Sequence, residues 1–234
     1  IFRSQCLITD GAMGTYYGEK YGKESGTPET DNLTAPQKIE EIHREYIRAG
    51  ADILRTNSFA SNIRTLCAGN TVSMTREEQL RTVYENVAAA CRIAQSAAEK
   101  ERSCAKEAGR ETKEIYIAGD IGPVPEKRGA EEQDAELIEE YKTMAKAHLD
   151  AGLKLIWFET FSDFERILPV AEWIRSVSDA FIMVSFSVNV FGYTKTGIGM
   201  RELIKTAKES KLIDGIGFNC GIGPSHLGKL LKRH

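Results

Sequence analysis

The stretch DAGLKLIWFET, residues 150–160, ends one helix and begins one strand. Ala151 and Gly152 close a helical pattern, because glycine enters the left-handed conformation that stops a helix without steric cost. From Leu153 to Phe158 the chain is apolar apart from Lys154, as expected of a strand covered on both faces. Glu159 and Thr160 then place polar groups where that strand stops. RAGADILRT, residues 48–56, has the same order: a helix end at Ala49–Gly50, an apolar core at Ile53 and Leu54, and a polar finish at Thr56. Strands of this kind alternating with helices predict a parallel sheet layered with helices.

Working outward, the alternation holds along the chain. Strand patterns occur in CLITDGAMGT (6–15), ADILRTNSF (51–59), EIYIAGDIGP (114–123), KLIWFETF (154–161), FIMVSFSVNV (181–190) and IDGIGFNC (213–220). Between them TAPQKIEEIHREYIRAG (34–50) predicts a helix with Thr34 as its N-cap, and Thr75 with Glu78 predicts a capping box opening a long helix. A second box is expected from Ser162 to Glu165, and helices over 135–152, 200–211 and from near Ser225. A doubly wound sheet carries GxGxxG after its first strand; DGAMGT has Gly11 and Gly14 but lacks that pattern. A (β/α)8 TIM barrel instead gathers polar residues from the C-terminal ends of many strands. Asp10, Thr56 to Ser58, Asp120, Glu159, Ser187 and Asn219 with Cys220 satisfy that requirement. The expectation is an α/β chain, residues 1–234 forming one barrel domain with six of its eight strand–helix units, C-terminally incomplete by about 60–70 residues.

Composition narrows the function classes. The 234 residues carry a formal charge of -3 and 28% charged side chains, which offers no basic field for nucleic acid. No apolar run approaches the roughly 20 residues of a membrane span, and no signal-peptide pattern opens the chain. A cytoplasmic protein with neither nucleic-acid nor membrane partners is expected. Five scattered cysteines with no close pair predict reduced thiols. The start at Ile1 suggests an excerpt of a longer polypeptide.

Four motifs at strand ends narrow the reading further. DGAMGT (10–15), GADILRTNSF (50–59), ETFSD (159–163) and GFNCGIGP (217–224), in this order, resemble the homocysteine S-methyltransferase family. The likeness is greatest to the homocysteine-binding module of methionine synthases and of the bifunctional homocysteine S-methyltransferase/methylenetetrahydrofolate reductase. It implies zinc-dependent methyl transfer to the thiol of homocysteine, forming methionine. An ordinary thiol, with a pKa near 8.5, is only slightly ionised at neutral pH, whereas coordination to zinc deprotonates it. The resemblance makes Cys220 a zinc ligand and places two adjacent cysteine ligands near an eighth strand; no CC occurs here, so they are expected beyond His234. It assigns Glu159 to the amino-acid end of homocysteine and gives Asp10, Gly11, Ala12 and Met13 an acidic side chain and backbone groups near the substrate. Thr56, Ser58 and Asn219 would stand beside them. The implied donor is methylcobalamin, regenerated from methyltetrahydrofolate on other modules of the same polypeptide, with betaine or S-methylmethionine as alternatives. Residues 1–234 alone are then expected to be inactive.

Other readings of the same residues are open. A cysteine at a strand end also serves as a small buried hydrophobe, and Asp10 before Gly11 also suits an Asx turn. Cys6, Cys67, Cys91 and Cys104 read as core or surface thiols. His43, His148 and His234 read as structural or solvated, while His226 is a site candidate. A metal-free barrel lyase or aldolase would use Glu159 or Lys154, and a non-catalytic barrel remnant would act as a binding unit.

Overall fold

The computed structural model describes residues 6–22, 26–68, 73–125 and 134–232. Five parallel strands stand side by side in chain order: β1 (Ile53–Arg55), β2 (Tyr116–Ile121), β3 (Leu155–Phe161), β4 (Phe181–Phe186) and β5 (Gly215–Phe218). Helices α1 (Met13–Tyr21), α2 (Asp31–Thr34) and α3 (Pro36–Arg48) precede β1, and α4 (Ile63–Leu66) and α5 (Arg76–Glu107) lead to β2. Helices α6 (Asp134–Asp150), α7 (Ile167–Val177), α8 (Met200–Ser210) and α9 (Pro224–Leu231) follow β2, β3, β4 and β5 in turn. A doubly wound sheet reverses its strand order at a switch point. This sheet never does, which is the winding of a (β/α) barrel wall.

The first of the six expected strands is shorter than its sequence suggests. It is reduced to a bridge from Thr9 to Ile53, flanked by the Ile53 N–H donating to the Ile8 carbonyl (3.1 Å) and the Asp10 N–H donating to the Ile53 carbonyl (2.9 Å). Ile8 gives its own N–H to the Asp52 carboxylate (2.9 Å), and the chain turns away after Asp10.

Period-two alternation sorts the strand residues into two layers. Ile53, Ala118 and Leu155 face the inside with Trp157, Phe181 and Met183. Ile156, Phe158, Ile182 and Val184 face the helices and pack with Val87, Tyr141 and Ile174. Burying each large apolar side chain there contributes roughly 1.5–3 kcal/mol. The same alternation carries Arg55, Asp120 and Glu159 to the inner face at the C-terminal ends of three adjacent strands. Gly119 lies between two inward residues, and a Cβ there would stand 2.5 Å from the His148 ring, so that ring packs directly on bare backbone.

The Thr75–Glu78 capping box forms: Thr75 Oγ1 accepts the Glu78 N–H, and Glu78 Oε2 accepts the Thr75 N–H. The box at Ser162 does not. Phe164 is buried against Phe186 (ring centroids 4.8 Å apart), and α7 starts only at Ile167, with Arg166 at its N-cap. Thr34 is likewise not the cap of α3. It ends α2, its hydroxyl bonded to Thr30 and Asp31, and Ala35 is the N-cap ahead of Pro36.

Candidate functional site

A cleft of about 410 Å³ opens at the C-terminal ends of the strands, with Asp10, Arg55, Asp120, Glu159 and Cys220 on its wall. That volume suits a small molecule. Arg55 organises it. Its Nε donates to Asp10 Oδ1 (2.8 Å), Nη1 to Glu159 Oε1 (2.5 Å) and Nη2 to the Gly11 carbonyl (2.8 Å), while its backbone N–H donates to Asp10 Oδ2 (2.9 Å). The guanidinium lies 5.9 Å from the Trp157 ring centre, within reach of a cation–π contact. Burial opposes its charge, but Asp10, Glu159 and Asp120 outweigh that and keep its pKa above the ordinary arginine value. Burial pushes the Asp10 carboxyl up, with Arg55 pulling against it. The Asp120 carboxyl stands well above the usual carboxylate range, first through burial and then through the negative charge of Glu159.

Glu159 leads on to the cysteine. The β3–β4 register shifts between Phe158 and Phe161, and Thr160 takes φ +66°. Cys220 takes φ +56° and Gly221 φ +68°. A non-glycine residue held there costs about 1–2 kcal/mol, and such strain concentrates at functional sites. A Cβ on Gly221 would sit 2.3 Å from the Val188 carbonyl oxygen, so only glycine passes this turn. The turn presents the Cys220 thiol, exposed, at the cleft wall. Asn219 Nδ2 faces Glu159 Oε1 (2.8 Å), Thr160 Oγ1 (2.7 Å) and Cys220 Sγ (3.4 Å). Two amide hydrogens cannot serve three acceptors at once, so Asn219 joins the carboxylate and the sulfur through shared bonds.

The structure brings most of the expected site residues together. Asp10, Gly11, Ala12, Met13, Thr56, Glu159 and Cys220 line the cleft, and Asn219 braces it from behind Glu159. Thr56 and Ser58 act underneath. Their hydroxyls lie 2.7 Å apart, each 3.2 Å from His148 Nε2, and Ser58 donates to the Asp120 carbonyl while Thr56 Oγ1 accepts the Asp120 N–H. They fix the end of β2. Burial lowers the His148 pKa to about 3, leaving a neutral ring as their partner. His43 is buried in α3 and His226 is exposed on α9. Lys154 lies at the opposite end of β3 from Glu159, exposed and paired with Asp179, which removes the Schiff-base reading.

Three functional groups were not selected from the sequence. Arg55 lies inside GADILRTNSF, and its signal is a charge in an apolar strand two residues beyond Ile53, which demands a buried partner. Asp120 is visible only as one of several polar strand ends. Glu29 lines the cleft from the turn before α2, its carboxylate accepting the Ala60 N–H (2.9 Å). Nothing local in the sequence marks it. Among the described residues, no three His, Cys, Asp or Glu side chains converge to hold a metal ion. Cys220 supplies one thiol where a catalytic zinc site takes three protein ligands, so these residues do not fit a zinc ion by themselves.

Known proteins are similar to this chain in sequence and in fold. The sequence model of a family described as Homocysteine S-methyltransferase matches residues 7–234. Methionine synthase of Mycobacterium tuberculosis is 25% identical over 246 residues, covering 99% of this chain and 19% of that protein. Methionine synthase of Mycobacterium leprae is 26% identical, covering 97% and 18%. The chain thus spans about a fifth of the curated relatives it matches. Among solved structures, the metallated form of the homocysteine methyltransferase MmuM from Escherichia coli superposes with a TM-score of 0.76 at 19% identity, over 96% of this chain and 78% of that one. Its apo form gives 0.70 at 22% identity, over 97% and 76%. At these identities the solved structures bear on the fold.

Proposed function

The chain belongs to the homocysteine S-methyltransferase family, and on that premise we propose that it is the homocysteine-binding part of a larger enzyme that methylates the homocysteine thiol to give methionine. One observation carries the reading: a cysteine, held in a strained turn, shares a cleft with a buried arginine–carboxylate layer. Such a cleft offers charged groups for the amino-acid end of a substrate and a sulfur site for its thiol end.

The chain's own residues bind and orient. The α-ammonium of homocysteine seeks the carboxyl layer in which Glu159 stands, a charge-assisted bond. Its α-carboxylate suits the N–H groups opening α1, where Ala12 provides no side-chain cap. Arg55 keeps Asp10 and Glu159 in place for this, and Thr56 with Ser58 holds the end of β2. The thiol then extends toward Cys220. In the reaction a sulfur–methyl bond forms as the donor–methyl bond breaks, and the thiol gives up its proton. The methyl donor, methylcobalamin or methyltetrahydrofolate, belongs to other modules in this reading. Cys220 is proposed as one thiolate ligand of a zinc site whose remaining ligands lie outside the described residues.

Calorimetric titration with L-homocysteine tests the binding step. Saturable uptake, weaker for the D-enantiomer, is expected. Absence of binding at concentrations up to about 1 mM, equivalent to less than roughly 4 kcal/mol of affinity, would refute it.

A further inference from the structure

The cysteines of the chain stand in different surroundings. Cys67 and Cys91 are buried, Cys6 and Cys104 are exposed but do not line the cleft, and Cys220 is exposed on the cleft wall. Its sulfur is held in place. Asn219 Nδ2 lies 3.4 Å from Sγ, and Thr160 Oγ1, which accepts from the same amide (2.7 Å), has its own hydrogen left to donate to Sγ (3.8 Å). The turn behind it is fixed as well, because Gly221 passes the Val188 carbonyl with no room for a Cβ.

A second feature marks the cleft as a binding site. Asp120 lines it, is 4% exposed, and has no hydrogen-bond partner for Oδ1 among the described residues. A buried acceptor left in this state costs free energy that a bound donor would recover. Glu159 ties this feature to the thiol: its charge acts on Asp120, and the one Asn219 amide reaches both Glu159 Oε1 (2.8 Å) and the Cys220 sulfur. The spacing suits a short amino acid that ends in sulfur. In homocysteine three carbons separate nitrogen from sulfur, so a nitrogen in the carboxyl layer leaves the sulfur beside Cys220.

Resting on the homocysteine reading above, we propose that Cys220 is a covalent modification site for the disulfide of homocysteine, homocystine, and that in the metal-free chain it forms a mixed disulfide whose amino-acid end fills the cleft. The Cys220 thiolate attacks one sulfur of homocystine. The reagent's S–S bond breaks as the bond between Cys220 and homocysteine forms, and the second homocysteine leaves as a thiolate that takes up from solvent the proton Cys220 gave up. The exchange is redox-neutral, with the disulfide as its only co-reactant. Among the described residues no second cysteine lines the cleft to expel the adduct, so reversal waits for an outside thiol. Oxidised substrate thus closes the site that reduced substrate uses.

The test incubates the full chain, dialysed against a chelator, with homocystine at about pH 8, where an ordinary thiol is partly ionised. Peptide mapping by mass spectrometry reads the adduct, which adds one homocysteine less two hydrogen atoms. Cys220 should be modified at least about 10-fold faster than Cys6 or Cys104, because the cleft holds the reagent against it. That preference should vanish with hydroxyethyl disulfide, which has no amino-acid end. A preference as large with hydroxyethyl disulfide, or none with homocystine, overturns the inference. Calorimetry with L-homocysteine on the same preparation separates the two failures: binding without preferential modification rejects the modification site alone, whereas neither binding nor modification rejects the homocysteine reading as well.

Discussion

Arg55→Met is the most informative single change, because it keeps the apolar stem and removes only the guanidinium. The carboxyl groups it serves are closed off from water, with 4% of the Asp10 side chain and 10% of the Glu159 side chain exposed. Removing one partner from a buried ion pair costs about 3–5 kcal/mol. For a chain of this size that lowers Tm by roughly 6–20 °C. The loss should depend on pH. Burial raises Asp10 and Asp120 above their ordinary values, and Arg55 is a charge that opposes the rise in both. Without it their folded-state pKa values climb further. An acid raised in this way contributes stability at low pH and loses it as pH rises through the folded pKa. The deficit of the variant should therefore be small near about pH 5 and larger near pH 8. Urea melts at both pH values, with Asp10→Asn and the double variant to complete a cycle, measure it. A variant within about 1 kcal/mol of the wild type at the higher pH, or a deficit that does not shrink in acid, would refute the view that one cation holds this layer together.

Further outcomes follow from particular residues. Glu159→Gln keeps the shape and removes the charge, so homocysteine affinity should fall by about 1.5–3 kcal/mol, read by calorimetry. Lys211, at the C-cap of α8 with φ +55°, is strained by its Cβ; Lys211→Gly should raise stability by about 0.5–1 kcal/mol in a urea melt despite glycine's larger unfolded-state entropy. Residues 1–234 prepared alone, with one thiol at the cleft, should retain well under one zinc per chain after dialysis, as elemental analysis would show.

The strand–helix order was legible because each strand core is an apolar run followed by polar groups, as in DAGLKLIWFET. The meeting of Asp10, Glu159 and Cys220 was legible through the four motifs, since barrel strands deliver their C-terminal ends to one face. Arg55 was hidden, because a charge within a strand shows its purpose only when Asp10 and Glu159, 45 and 104 residues away, close around it. The Ser162–Glu165 pattern misled for a related reason: burial of Phe164 outweighed a local cap that contributes about 1 kcal/mol. Thr56 and Ser58 look alike as polar strand ends. Only the packing of His148 against Gly119 shows that their hydroxyls turn beneath the site.

The central claim is that this cleft prepares homocysteine for methylation at a site built on Cys220. Its most direct test is methionine formation from labelled L-homocysteine by the native polypeptide, supplied in turn with methylcobalamin, methyltetrahydrofolate, betaine and S-methylmethionine. The account predicts labelled methionine with at least one donor, and a fall to background in Cys220→Ala. Undiminished methionine formation in that variant, or none from the wild type with any donor, would contradict it.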